Sequence, residues 1–526
     1  MFLLLIIVLL LILFVILKEI QRFKTRQKMS HTPGSTTLPL IGNAHQMGKT
    51  PTDILNFMFD SFYKYGNFLV WIGYAPSILV TDIKDIEYIL SSNTLTEKSN
   101  MYDIFKVWFA EGLVNINGSK WHKHRKIITP SFHFKILQDF HITMNANAGK
   151  FVKKLREVSQ GERIFDFQKM VHNLTLDIIC ETAMGVQINA MDNPHSEFVK
   201  AVDFITESCS MRMFDPFKRN MNVYQFYPEC KRLFKALEVF KDFTYNIIEK
   251  RMQMCSTQTL QKDKDMPLSE FTKQRHAFLD TLLSATIDGC PLSREEIYDE
   301  VSNFMFAGQD TTSSALAFAV YLLSLHMEVQ RKVYEEQQRI ISDDLQRDAT
   351  FQELNEMKYL DMVLKETLRI YPSVPFISRA VTEDINMNGK FIPKGTTLML
   401  FLMSMGYNEQ HYPDPYHFNP ERFNSSNERG DNHNPFESVP FSAGPRNCVG
   451  QKYAILEMKT VLSKIVRCLE ILPAVDELAS EDGYVRTFFG PYRKNQCQPH
   501  QYDPVLSTVL TLKSANGIFI RLKKRQ

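Results

Sequence analysis

The sequence predicts a mostly helical α+β fold: a large helical domain, a smaller β-rich subdomain and an N-terminal transmembrane anchor. Three observations carry this expectation. Met1 to Leu17 reads MFLLLIIVLLLILFVIL without one charge. From about residue 82 to 370, apolar residues recur at helical spacing with few Pro or Gly residues. Runs of strand character are short and lie mostly outside that stretch, so small sheets must be assembled from distant segments.

The anchor comes first in the chain. At 1.5 Å per residue the apolar run spans about 26 Å, and Ile20 and Phe23 extend its face towards full hydrocarbon thickness. A secretory signal would carry basic residues before the run and a small-residue cleavage site after it. Here Lys18, Arg22, Lys24, Arg26 and Lys28 follow the run, opposed only by Glu19. The positive-inside rule keeps these residues, and the body behind them, in the cytosol. The expected organisation is an anchor over 1–20, a basic, Pro- and Gly-containing linker over 21–44, and one large domain over 45–526. Three sequons, at Asn117, Asn173 and Asn424, are expected to be unmodified on the cytosolic side.

Within the body, Phe68–Ile72 and Ser77–Val80 read as a strand pair around Gly73 and Pro76. The polar stretch 256–275 reads as an exposed connection. Strand character returns over Phe391 to Phe401. It returns again over Val509–Leu512 and Ile518–Leu522, which flank the hairpin-turn signal Asn516-Gly517. The chain has 61 Lys+Arg against 59 Asp+Glu, with 44% hydrophobic and 23% charged residues. That is the composition of a packed globular protein, and the small net charge argues against a nucleic-acid partner. Eight scattered cysteines without a CxxC pair support neither a disulfide scaffold nor a structural zinc site.

One cysteine stands apart. Phe441-Ser-Ala-Gly-Pro-Arg-Asn-Cys448-Val-Gly450 places Cys448 between two glycines and just before a helical pattern that starts near Tyr453. Glycines permit a tight loop and a close backbone approach. The helix N-terminus is expected to lower the thiol pKa towards a metal-ligating thiolate, and Arg446 could neutralise an anionic group.

This segment matches Phe-x-x-Gly-x-Arg-x-Cys-x-Gly and resembles the haem-binding signature of the cytochrome P-450 superfamily; five fixed residues recur by chance in about 10⁻⁷ of windows. The resemblance implies the cytochrome P-450 fold and haem b, with Cys448 as axial iron ligand in a pocket that includes Phe441. Other segments match in order. Glu366 and Arg369 on one helix face, with Arg422 in Pro420-Glu-Arg-Phe423, would form a structural charge network. Ala307-Gly308-Gln-Asp310-Thr311, on a helix opened by the capping box Ser293-x-x-Glu296, would leave room for dioxygen at Gly308 and relay protons through Asp310 and Thr311. Trp121 and Arg125, at i, i+4, would bind the haem propionates with Arg446 and Arg379. Lys120, Lys123 and Lys126 nearby would help dock an acidic electron donor. Ala307, Val374 and Phe376 would touch substrate.

The stretches 120–134 and Phe304-Met-Phe306 resemble family 4 of the superfamily, especially arthropod members. That group implies a haem-thiolate monooxygenase acting on fatty acids, other long-chain lipids, terpenoids or xenobiotics. Its electrons would come from NADPH–cytochrome P-450 reductase, with cytochrome b5 as a second donor, at the endoplasmic reticulum membrane. Ala307 stands where many members carry an ester-forming Glu, so the haem is expected to be non-covalent. Residues 484–505 look longer than the family usually has before its last hairpin. The alternatives are a haem-thiolate isomerase or dehydratase that rearranges peroxides without dioxygen, and a non-enzymatic haem gas sensor.

Overall fold

The computed structural model describes residues 1–262, 278–342, 344–424, 434–480, 483–486 and 499–525. Helices dominate, and one extended apolar core runs through them; a second, smaller core lies beneath the N-terminal sheet. The apolar N-terminal helix, Phe2–Lys28, has no buried residue in its membrane-length window. It continues through the basic belt, and Met29 at its end is fully buried in the smaller core. Two of the belt's cations turn towards the body: Arg22 pairs with Glu19 and donates to the Leu38 carbonyl at 3.1 Å, while Arg26 donates to the Gly34 carbonyl.

The smaller core is covered by a four-stranded sheet in the order Phe68–Ile72, Ala75–Val80, Thr397–Leu400, Ile377–Ala380. Neighbours are antiparallel except the central pair, Ala75–Val80 with Thr397–Leu400. The first strand pair lies where the sequence places it.

The C-terminal expectation is corrected. Leu506–Val509 pairs with Thr511–Ser514 around Leu510, whereas Phe519–Lys524 pairs with Leu469–Pro473 and Phe165–Asp166. Leu510 adopts a left-handed backbone (φ +62°) and turns the chain within one residue. Asn516-Gly517 therefore joins two different sheets. Gly517 (φ +94°) is pressed so close to Asp166 that a Cβ would lie 2.8 Å from its carboxylate.

The long helix Arg294–Leu325 crosses the core and starts at the predicted Ser293/Glu296 capping box. It packs along Phe167–Thr182, while Gln451–Cys468, which follows the cysteine loop, packs on Phe134–Val158. The stretch 256–275 lies only partly within the described residues: its start continues the helix Pro228–Lys262, and 263–275 lie outside.

Candidate active site

A cavity of about 350 Å³ lies between the Arg294–Leu325 helix and the cysteine loop. Phe105, Phe109, Phe214, Phe304, Phe306 and Leu510 make much of its wall apolar, and Ala307, Gly308, Thr311, Val374, Phe376 and Phe441 all line it. The last six are among the residues that the sequence predicts for this site.

Cys448 opens onto this cavity. Its N–H donates to the Phe441 carbonyl at 2.9 Å, which closes the loop. Gly444 (φ +68°) makes the loop's approach possible, since a Cβ there would sit 1.8 Å from the Leu90 carbonyl oxygen. Gly450 has no such demand: its Cβ would meet only Cys448 Sγ at 4.0 Å. The helix after the loop begins at Gln451, as the pattern suggests. The expected lowering of the thiol pKa does not follow, however. Burial pushes the Cys448 thiol up, and the Gly450 N–H and the Arg125 guanidinium only partly offset it. Desolvation of the anion outweighs one amide and one half-buried cation.

Arg125 holds the loop directly, donating to the Asn447 carbonyl at 2.9 Å and to Asn447 Oδ1 at 2.7 Å. Arg446 stacks on the Trp121 ring at 4.2 Å and donates to the Thr96 and Ile116 carbonyls and to Asn117 Oδ1. Burial and the neighbouring Arg379 push its pKa down to about 10. Lys98, which no motif signalled, also lines the cavity. Burial, then Arg379 and Arg446, hold its ammonium well below the ordinary lysine range. Arg379 stands behind them, bonded to its neighbour Ser378's carbonyl.

Among the described residues, none of these four cations pairs with a carboxylate. One buried and three half-buried cations clustered without an anion are electrostatically incomplete, and a cofactor carrying two carboxylates would complete them. A cysteine facing an apolar cavity edged by such cations fits an iron porphyrin.

Gly308 has a second constraint. A Cβ there would come within 2.7 Å of Ile179 Cδ1, so any larger residue would force the Ile179 side chain to shift. Thr311 Oγ1 donates to the Ala307 carbonyl at 2.7 Å, and Ser373 Oγ donates to the Thr311 carbonyl at 2.7 Å. Asp310 is 1% exposed. It faces the C-terminal hairpin, accepting from Thr511 Oγ1 at 2.7 Å and pairing with Lys513 Nζ at 2.6 Å. Thr511 in turn lines the cavity.

Away from the cavity, Glu366 accepts from Arg369 at 2.7 and 2.8 Å and from the Asn419 N–H at 3.0 Å, with Arg422 Nε at 3.4 Å. Lys120 and Lys123 are paired with Glu111 and Asp288, while Lys126 is exposed. Of the sequons, Asn117 is bonded to Lys98 and Arg446, and Asn173 is buried; Asn424 precedes residues outside the described ones.

The fold is that of a haem monooxygenase, and the cysteine-edged cavity fits one. A profile of the Cytochrome P450 family matches residues 32–487. Cytochrome P450 4e2 of Drosophila melanogaster is 50% identical over 531 aligned residues, covering 100% of this chain and 99% of its own. Cytochrome P450 4e5, mitochondrial, of Drosophila mettleri is 51% identical over 496 residues, covering 93% and 94%. Cytochrome P450 4d2 of Drosophila melanogaster is 37% identical over 500 residues, 94% of each chain. The chain belongs to the cytochrome P450 family and, within it, to the family 4 proteins of insects.

Proposed function

We propose that this P450 monooxygenase inserts one atom of dioxygen into lipophilic molecules: fatty acids or other long-chain lipids, terpenoids or xenobiotics. The observation that carries the substrate class is the aromatic and aliphatic cavity wall between Cys448 and the outer segments Met101–Phe109 and Met213–Phe214. Such a wall favours apolar chains by burial and offers few polar groups to select among them.

Cys448 holds the haem iron. Lys98, Arg125, Arg446 and Trp121 receive the propionates, with Arg379 reinforcing their charge. When bound, the haem supplies dioxygen activation, and thiolate ligation favours O–O cleavage. The protein's part is to exclude water, to place the substrate against Ala307, Val374 and Phe376, and to supply protons from Asp310 on the helix that also carries Thr311. The Ala307 methyl has no carboxyl with which to form an ester, so the haem is non-covalent. The apolar helix anchors the body to the cytosolic face of the endoplasmic reticulum membrane. NADPH–cytochrome P-450 reductase and cytochrome b5 dock where the cysteine loop and the Gly118–Ile128 helix meet the surface; Lys126 is exposed and has no carboxylate partner among the described residues, whereas Lys120 and Lys123 have one each.

A carbon monoxide difference spectrum of the reduced protein tests the thiolate, and Cys448→His should shift it to the histidine-ligated form. Acidified organic solvent should strip the haem from the polypeptide. Membranes supplied with reductase, NADPH and a mixed pool of fatty acids, terpenoids and xenobiotics should yield hydroxylated products that require dioxygen. Product formed from peroxides without reductase would overturn the monooxygenase reading.

A further inference from the structure

We infer that Glu300 is a positioning residue that joins the cavity-wall loop 110–117 to the helix bearing Trp121 and Arg125, so that the substrate side and the propionate side of the site move together. The inference rests on the monooxygenase reading and assigns a residue within it. The Glu300 side chain has no exposure, and that of His124 beside it is 2% exposed. The two carboxylate oxygens serve two different elements. Oε1 meets His124 Nδ1 at 2.7 Å, and Oε2 accepts the Leu113 N–H at 3.1 Å. Burial pushes the carboxyl up, while His124, the Leu113 N–H and Lys120 act against it.

The loop between Phe109 and Gly118 has neither helix nor strand, so its buried amides need acceptors from elsewhere. The central helix supplies them. Asp299 Oδ2 accepts the Glu111 N–H at 3.0 Å. Asn303, with its amide oxygen towards the loop, accepts from Val114 at 2.8 Å and shares the Leu113 N–H at 2.9 Å. The approach is close, since a Cβ on Gly112 would lie 2.8 Å from the Asp299 carbonyl oxygen. Leu113 and Val114 line the cavity. On the loop's other edge Arg446 donates to the Leu113 carbonyl at 3.4 Å and to the Ile116 carbonyl at 2.7 Å. Leu113 is therefore held at its N–H by Glu300 and at its C=O by a cation offered to the propionates.

His124 carries the same carboxylate's hold into the second element. Trp121, His124 and Ile128 form the buried face of the helix Gly118–Ile128. Arg125 follows His124 directly and donates to Asn447 of the cysteine loop, while Arg446 stacks on Trp121. Without the Glu300 carboxylate, the Leu113 N–H keeps only Asn303, and His124 Nδ1 loses its acceptor. His124 Nε2 is buried and has no hydrogen bond among the described residues. The imidazole would then be buried with neither nitrogen bonded, and a shift of its helix relieves that cost. Such a shift carries Trp121 and Arg125 with it.

The test uses the full-length holoenzyme in nanodiscs, with carbon monoxide as the only added ligand. Amide exchange over 110–117 and 118–128 reads the two elements. Resonance-Raman bending bands of the haem propionates read one side of the site, and carbon monoxide recombination after a flash reads the other. Glu300→Ala should speed exchange in both segments by about tenfold or more, shift the propionate bands and change the recombination rate several-fold. Glu300→Gln keeps the reach, an oxygen for Leu113 and an amide for His124, and should restore all three readouts. Asp299→Ala removes only the Glu111 acceptor; it should speed exchange in 110–117 and leave the propionate bands in place. If Glu300→Ala takes up no haem, Glu300→Asp replaces it, since it keeps the charge and loses the reach; both sides should change, by less. A Glu300 variant with wild-type exchange in 118–128 and wild-type propionate bands overturns the inference. So does Asp299→Ala matching Glu300→Ala in every readout, because the loop would then act on the haem side without Glu300. A wild-type protein lacking the thiolate carbon monoxide spectrum overturns the functional reading instead, and exchange in the two segments still decides the Glu300 link.

Discussion

Glu366 and Arg369 meet through two parallel hydrogen bonds of 2.7 and 2.8 Å, with neither side chain reaching solvent. The pair does more than stabilise one helix. Arg369 also donates to the Gly406 and His417 carbonyls, and Glu366 accepts the Asn419 N–H, so residues 406–419 are tied to the helix Lys358–Ile370. Removing one partner leaves the other's charge buried. Glu366→Ala should therefore cost roughly 3–5 kcal/mol in urea unfolding. Glu366→Ala with Arg369→Met should cost less than Glu366→Ala alone; equal or greater loss in the double variant would refute the pairing argument.

Gly308 should be limited first by packing. Gly308→Ala places its methyl against Ile179, and overpacking of this kind costs about 1–3 kcal/mol. Ile179→Val removes the Cδ1 methyl, one of the two clashing carbons, and should restore part of that loss. Thermal unfolding of the two single variants and the double variant measures the coupling.

The two glycines around Cys448 should behave differently. Gly444→Ala drives a Cβ into the Leu90 carbonyl at a positive φ, so the loop cannot close and soluble haem-loaded protein should be lost. Gly450→Ala meets only the Cys448 sulfur at van der Waals distance, and the apoprotein should unfold within about 1 kcal/mol of wild type. Comparable losses from both would show that the Leu90 contact is not what constrains the loop.

Stability should fall through weakly acidic pH because of Asp299. Burial pushes this carboxyl up to about 6, against the Glu111 N–H that it accepts and with the nearby Glu300 and Glu111 adding to the rise. A folded pKa above the unfolded value means that the native state binds its proton more tightly. The associated stability is full below the ordinary carboxylate range and is lost as pH rises through 6. Asp299→Asn keeps an acceptor for the Glu111 N–H and removes the charge. It should raise stability by roughly 2–3 kcal/mol at pH 7.5 and make no difference near pH 3.5. Melting temperatures of both proteins across that interval test the sign.

Local patterns in the chain were enough for several parts of this protein. In lipid the uncharged run at the N-terminus could satisfy its backbone only as a helix, and the helix Phe2–Lys28 is long and apolar enough to cross a membrane, so this expectation needs no tertiary information. The capping box at Ser293, the strand pair at 68–80 and the Phe-x-x-Gly-x-Arg-x-Cys-x-Gly loop are written in adjacent residues for the same reason, since their hydrogen bonds and turns are local. Of the six proposed cavity residues, Phe441 lies in the cysteine loop and Ala307, Gly308 and Thr311 on the capped helix, while Val374 and Phe376 lie outside those motifs; the cavity gathers all six. Lys98, Thr511 and Lys513 carry no local signal, because a lone lysine or threonine reads the same on a surface as beside a buried carboxylate. Tertiary structure places Lys98 beside Arg379 and Arg446 and brings the C-terminal hairpin against the central helix 201 residues away, with Leu510 rather than Asn516-Gly517 turning that hairpin. It also sets the surroundings of Cys448. The helix N-terminus beside the thiol is legible in sequence, but the desolvation that outweighs it comes from walls contributed by the rest of the chain.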